Sequence, residues 1–235
     1  MSTATISSRP HPAQFADLHD LGCQLRFKAG EPIFQAGDDA DHWFYVVKGV
    51  VRLSRILLDG RRHVADFRGQ SDLFGFETDD VYEVTAEAVT DVVLMRYRRR
   101  DLEAAGRKSL SIQSELLELT RAHVARLQNR VLQLGCQTAR ERVAALLVAM
   151  ANRRNGEAAN GCAIELPMTR QDIGDYLGLT TETISRTLGD LKRAGTIRVV
   201  NRTQILLNDV DRLEQLADGD EDQDACETLR RPVRH

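Results

Sequence analysis

The apolar positions change period along the chain. From Gly22 to Tyr97, short runs rich in β-branched and aromatic residues are broken by turn residues, and seven of the sixteen glycines (Gly22, Gly30, Gly37, Gly49, Gly60, Gly69, Gly75) fall by residue 75. That spacing predicts short strands joined by tight turns. The strands are expected at Cys23–Phe27, Trp43–Lys48, Val50–Leu58, His63–Phe67, Val81–Ala88 and Val92–Tyr97. Their number and length predict a small antiparallel barrel or roll.

The period then becomes helical. Leu110, Leu117, Val124 and Val131 recur every seventh position, with Gln113, Thr120, Leu127 and Leu134 interleaved. This is an a/d seam of about four heptads. A helix packed on its own barrel also shows an apolar stripe. Here only one stripe is strongly apolar, with Arg121, Arg126 and Arg130 off it. The expectation is a homodimer coiled coil with Leu117, Thr120, Val124, Leu127, Val131 and Leu134 at the seam. Thr138-x-x-Glu141 then forms a capping box that restarts a helix, and Val143, Leu146, Leu147 and Met150 form its inner stripe. Gly135–Gln137 reads as the hinge between two domains.

After a polar loop, Arg153–Gly161, a compact unit runs from Met168 to Leu207. Thr169 suits the N-cap of a short helix, with Asp172 in its first turn and Ile173 and Leu177 inward. Gly174 is small where a second helix must cross closely, Gly178 ends the helix, and Leu179 plugs the turn. Thr180 caps the next helix, Thr181–Ala194, which buries Ile184, Leu188 and Leu191. Its opposite face displays Glu182, Ser185, Arg186 and Gly189. Arg donates twice to guanine, Glu accepts from cytosine, and Ser makes close contacts with thymine or phosphate. An i,i+4 ion pair between Glu182 and Arg186 on a solvated face is the plain alternative. Thr196–Val200, a turn at Asn201-Arg202 and Thr203–Leu207 read as a two-stranded hairpin, a wing with a basic tip. Thr169, Arg170, Gln171, Thr180, Thr181 and Arg202 are the expected phosphate-positioning residues.

Composition narrows the class. The 235 residues are 42% hydrophobic and 29% charged with a net charge of −3, which excludes a polybasic chain and leaves nucleic-acid contact to a local patch. Val143–Ala151, the longest apolar stretch, is half a membrane span, and residues 1–15 lack an apolar signal core, so a soluble cytoplasmic protein is expected. The four cysteines (Cys23, Cys136, Cys162, Cys226) and six histidines show no ligand spacing, and no metal site is expected. No nucleophile–base pair or phosphate loop can be assembled, so an enzyme is not expected. Residues 218–227 carry six acidic groups and no basic ones, before Arg230, Arg231 and Arg234, which reads as a disordered tail. The expected organisation is α+β: a flexible N-terminus (1–20), an antiparallel β-roll of cyclic-nucleotide-binding type (21–106), a dimerisation helix and hinge (107–137), a winged helix-turn-helix domain (138–217) and the tail (218–235).

The run Met168-Thr-Arg-Gln-Asp-Ile-Gly-Asp-Tyr-Leu-Gly-Leu-Thr-Thr-Glu-Thr-Ile-Ser-Arg-Thr-Leu resembles the helix-turn-helix of the CRP/FNR transcription regulators. Roll, long helix and winged helix follow in that family's order over about residues 20–215. Glu182, Ser185 and Arg186 match the residues with which the FNR-type branch reads TTGAT half-sites; the CRP-type branch has Arg where this chain has Thr181. The sensor half departs from both branches. The family's cyclic-nucleotide rolls carry a Gly-Glu pair and a downstream Arg-Ser pair; here Gly75 precedes Phe76, and the second stretch is Val81-Tyr82-Glu83. Without that Arg, Asp79, Asp80 and Glu83 would repel a cyclic phosphate. There is also no N-terminal cysteine cluster for an iron-sulfur centre.

The resemblance therefore points to the FixK-like subgroup, regulators of low-oxygen respiration and nitrogen-fixation genes, with no cofactor. It implies as partners palindromic double-stranded DNA, a second copy of the chain, and RNA polymerase through Asp59, Arg61 and Arg62 and through Arg153, Arg154 and Glu157. A haem or small-ligand sensor using His63 or Cys23 in the roll is the alternative.

Overall fold

A computed structural model describes residues 21–76, 80–155 and 158–219, the side chains of residues 132 and 153–155 excepted. The chain divides into two compact units, Met1–Gln128 and Asn129–His235.

In the first unit the roll is built from β1 (Gly22–Phe27), β2 (Pro32–Phe34), β3 (His42–Lys48), β4 (Val51–Ile56), β5 (Arg62–Arg68), β6 (Leu73–Phe74), β7 (Thr85–Ala88) and β8 (Val92–Arg98). Two four-stranded sheets result, ordered β1-β8-β3-β6 and β2-β7-β4-β5, with every paired neighbour antiparallel. Phe34, Phe44, Val46, Val51, Leu53, Phe74, Ala86 and Leu94 form a core of the unit. The turn into β4 requires glycine at position 49. Its φ is +96°, and a Cβ there would stand 2.5 Å from the Asp91 carbonyl oxygen.

Several strand expectations are corrected. The expected Val50–Leu58 strand is β4 alone, because the Val50 N–H donates to Thr90 Oγ1 and the Leu57 N–H turns back to the Arg61 carbonyl. Val81–Ala88 shrinks to β7: Tyr82 leaves the strand direction, stacks on Phe34 with centroids 3.7 Å apart and donates its hydroxyl to the His42 carbonyl. The short strands β2 and β6 and the helix α1 (Arg99–Lys108) were not expected.

Helix α2 (Leu110–Cys136) carries two apolar faces within its first-unit portion. Ile112, Leu116 and Leu119 pack with Tyr45, Leu73, Met95, Tyr97 and Leu102 of the roll and α1. Between the roll and α2, Arg68 is buried, ion-paired with Asp66 at 3.1 Å, and its Nη2 donates to His123 Nδ1 at 3.1 Å. Arginine can only donate, so His123 Nδ1 accepts and the ring is neutral. Phe76 meets that ring edge-on at 4.8 Å and Trp43 at 5.9 Å. Arg126, off the seam as expected, pairs with Asp72 at 2.8 Å. The heptad positions face away: Leu117, Val124 and Leu127 remain 48%, 46% and 50% exposed.

The second unit continues with α3 (Ala139–Asn155), β9 (Ala163–Glu165), α4 (Arg170–Leu177), α5 (Thr181–Arg193), β10 (Ile197–Val199), β11 (Gln204–Leu207) and α6 (Val210–Asp218). The expected capping box is present, with the Thr138 N–H donating to Glu141 Oε2 at 3.0 Å and the Glu141 N–H to Thr138 Oγ1 at 3.4 Å. Val143, Leu146 and Leu147 are buried. The helical break falls at Gln137 and Thr138, yet the units part at Gln128, because the last two turns of α2 belong with the helices that follow.

The wing is a three-stranded sheet, β10-β11-β9, rather than a lone hairpin. Gln204, Ile205 and Leu206 of β11 pair with Glu165, Ile164 and Ala163. Helix α6 runs through Asp218, which had been expected in the tail; residues 220–235 and 1–20 lie outside the described residues.

Candidate nucleic-acid interface

Each helix of the pair is bounded by its own sequence. The Thr169 hydroxyl accepts from the Asp172 N–H at 3.0 Å and the Thr169 N–H donates to Asp172 Oδ2 at 3.1 Å, a reciprocal cap on α4. Gly178 closes that helix in the left-handed region at φ 66°, ψ 37°. Gly174 is small to admit the turn rather than the crossing helix that was expected, since a Cβ there would lie 2.6 Å from the Leu179 carbonyl oxygen. The Thr180 hydroxyl accepts from the Thr183 N–H at 3.2 Å and starts α5.

Ile184, Thr187, Leu188 and Leu191 are buried on one side of α5. Glu182, Ser185 and Arg186 are exposed on the other. No hydrogen bond or ion pair engages these three side chains among the described residues, so the alternative of a Glu182–Arg186 pair is not realised. Their donors and acceptors are free for an external partner. No side chain occupies the space over Gly189, where a Cβ would meet nothing within 4 Å.

The six expected phosphate-positioning residues separate into two groups. The Thr169 and Thr180 hydroxyls are committed to their caps. Thr181 Oγ1 donates to Gln171 Oε1 at 2.9 Å while Gln171 Nε2 donates to Asp175 at 2.6 Å, a bridge that ties α5 to α4. Arg170 and Arg202 are uncommitted among the described residues. Arg170 opens α4, at the helix end where a cation is disfavoured, and its partial burial lowers its pKa. Both effects are relieved by an anion. Arg202 is exposed at the wing tip, where Asn201 Oδ1 accepts from the N–H groups of Thr203 and Gln204, each at 2.9 Å.

One contributor had no signal in the sequence. The Arg142 guanidinium donates through Nη1 to the Leu177 carbonyl at 2.9 Å, through Nη2 to the Leu134 carbonyl at 3.0 Å and through Nε to the Gln137 carbonyl at 3.0 Å. The Arg130 guanidinium also lies 3.7 Å over the Tyr176 ring.

Elsewhere, Asp59 and Arg61 are ion-paired at 2.7 Å in the β4–β5 turn, with Arg62 opening β5. The side chains of Arg153 and Arg154, and all of Glu157 and Asp79, lie outside the described residues. In the roll, Phe76 is packed against Trp43 and His123, and Tyr82 is in the core. Glu83 faces Arg55 at 3.9 Å. Cys23 and His63 lie on different sheets, and no cluster of three metal-ligating residues exists among the described residues. No described helix is long and apolar enough to cross a membrane.

A capped helix-turn-helix with a three-stranded wing and an unengaged polar helix face, carried with an antiparallel roll, defines a DNA-binding transcription regulator. Residues 141–216 match the Crp-like helix-turn-helix domain and residues 24–109 the cyclic nucleotide-binding domain. The nitrogen fixation regulation protein FixK of Azorhizobium caulinodans is 40% identical over 200 residues, 83% of this chain and 79% of that protein. The transcriptional activator protein FnrL of Cereibacter sphaeroides is 31% identical over 221 residues, 92% and 89% of the two chains. The structure of FixK2 from Bradyrhizobium japonicum superposes with a TM-score of 0.76 at 35% identity, over 83% of this chain and 96% of that one. The chain therefore belongs to the CRP/FNR family of transcription regulators and is FixK-like within it. The proteins it matches are transcription regulators, not enzymes.

Proposed function

We propose that the protein acts in the cytoplasm as a homodimeric activator of low-oxygen respiration or nitrogen-fixation genes, binding TTGAT and ATCAA half-sites separated by four bases. The observation that carries this reading is the free Glu182–Ser185–Arg186 face on a helix whose opposite side is buried. Arg186 pairs with the guanine and Glu182 with a cytosine of the other strand. Arg170 and Arg202 set register on the phosphates. The exposed seam of α2 supports the dimer, since its apolar residues remain between 37% and 71% exposed in the single chain. Two recognition helices then lie about 34 Å apart, one DNA turn.

The roll needs no cyclic nucleotide or cluster on this reading. Phe76 and Tyr82 stand where nucleotide ligands would be expected, and both are packed against the protein's own side chains. Polymerase contact is assigned to Asp59, Arg61 and Arg62 and to Arg153, Arg154 and Glu157.

The test is a salt-controlled titration of Arg186→Ala and Arg170→Ala on the palindrome and on a copy with both guanines changed to adenine. Arg186→Ala should lose about 1–3 kcal/mol per half-site on the palindrome only. Arg170→Ala should weaken both sites alike and reduce the salt slope by about one ion per half-site, roughly two for the dimer. If Arg186→Ala leaves the ratio of the two affinities unchanged, Arg186 is not the guanine reader and the half-site assignment fails.

A further inference from the structure

Leu134 and Leu177 lie within the last turns of α2 and α4, so their carbonyls are among those a helix end leaves without intrahelical partners. Both ends carry partial negative charge. The Arg142 side chain, projecting from α3, takes both of these carbonyls and that of Gln137 in the linker. A planar guanidinium holds its donors at fixed mutual angles, so three acceptors on three segments are fixed in both distance and orientation. Arg130, on the same two turns of α2, adds a second strut through the face of Tyr176 on α4. These turns also carry Val131 and Leu134, the last two seam residues, 71% and 37% exposed.

We propose that Arg142 is the positioning residue that sets the half-site spacing the dimer accepts; the proposal rests on the homodimer reading above. Arg142 ties α4, and α5 through the Gln171–Thr181 bridge, to the part of the seam nearest the DNA-binding helices. Adding or removing one base between half-sites moves each pair of contact points by about 3.4 Å and turns them by roughly 35°. A helix pair joined through Leu177 to a guanidinium that also grips α2 and the linker resists that displacement. A helix pair held only by apolar packing follows it.

The experiment measures wild type, Arg142→Ala and Arg142→Lys on a single half-site and on palindromes with three-, four- and five-base spacers, with sedimentation of each protein. Wild type should prefer four bases by at least about 30-fold. Arg142→Ala should remain dimeric, hold the single half-site within about threefold, and reduce the spacer preference to about fivefold or less. Arg142→Lys keeps the charge but not the fixed fork, and should also lose most of the preference. It decides the matter alone if Arg142→Ala fails to fold. Retention of the full spacer preference by either folded variant overturns the proposal. Equal weakening on every DNA, the single half-site included, overturns it as well, since that marks a merely structural residue. A wild type that sediments as a monomer, or binds the palindrome no tighter than one half-site, shows instead that the homodimer reading has failed, and the proposal falls with it.

Discussion

Where the roll meets α2, charged side chains are bound to one another: Arg68 to Asp66 and His123, Arg126 to Asp72. On the outward face of α5, Glu182, Ser185 and Arg186 are bound to nothing among the described residues. Both regions are rich in hydrogen-bonding capacity, yet only one of them offers it to a partner. In the roll that capacity is turned inward to hold a helix, and the aromatic rings of Phe76 and Trp43 close the same space. In the helix-turn-helix the internal polar groups are caps and a Gln171–Thr181 bridge, which fix the frame and leave the outward polar face of α5 unspent. A polar cluster is thus a candidate site when its scaffold is satisfied and the cluster is not. The first unit also exposes an apolar stripe, Leu117, Val124 and Leu127 of the α2 seam.

The largest effect should come from that seam. Val124→Glu combined with Leu127→Glu places like charges across the expected coiled coil and should give monomers by sedimentation. Palindrome affinity should then fall by about 10²–10⁴-fold, towards that of one half-site. A wild type already monomeric at micromolar concentration while binding DNA tightly would contradict the dimer.

Next in size is a stability effect confined to the committed region. Arg68→Ala removes a buried cation from Asp66 and His123 and should cost about 3 kcal/mol in denaturant unfolding, the lower end for a broken buried pair because Asp66 is partly exposed. Arg186→Ala, at an exposed and unengaged position, should stay within about 0.5 kcal/mol of wild type in the same experiment. Equal losses from both would erase the distinction between the two regions.

A smaller effect follows from the His123 ring. Burial first, then the Arg68 and Arg126 charges, hold its pKa below the ordinary 6.5, with Asp66 and Asp72 opposing. The folded protein therefore binds fewer protons here than the unfolded chain. The stability contribution is complete above 6.5 and is lost as pH falls from there through the folded pKa. Thermal unfolding should show a slope in that window which His123→Gln flattens, and an unchanged slope in the variant would assign it to another group. The smallest expected effect is none: titration calorimetry with cAMP and cGMP should be silent and DNA affinity unaltered. Saturable micromolar binding that tightens the DNA complex would show that Phe76 does not close the roll.

The helix-turn-helix was legible residue by residue because its determinants are local. Thr169 with Asp172, Thr180 with Thr183, Gly174 against the Leu179 carbonyl and Gly178 in the left-handed region each act within about five positions of the chain. A cap or a left-handed glycine means the same thing wherever the rest of the protein lies. The roll was legible as a class but not in detail. The two-residue β6 exists because Leu73 and Phe74 meet Tyr45 and Phe44, and β2 because Pro32 and Phe34 meet Glu87 and Ala86. Neither segment has a period long enough to announce itself.

By its own pattern the sequence determined the order of roll, long helix and helix-turn-helix, the inward stripes of α3 and α5, the exposed polar face of α5 and the heptad positions of α2. Each depends on residues a turn or two apart, and helix geometry converts that spacing directly into a face. Only the tertiary structure decided which second face of α2 is covered by the roll, that Arg68 and His123 meet 55 positions apart, and that the wing has a third strand from β9. It also decided that Arg142 gathers carbonyls 8 positions before it and 35 after it. Those partners come together because burying the apolar faces brings distant segments into register, and a long side chain between them then takes whatever unpaired carbonyl lies within reach.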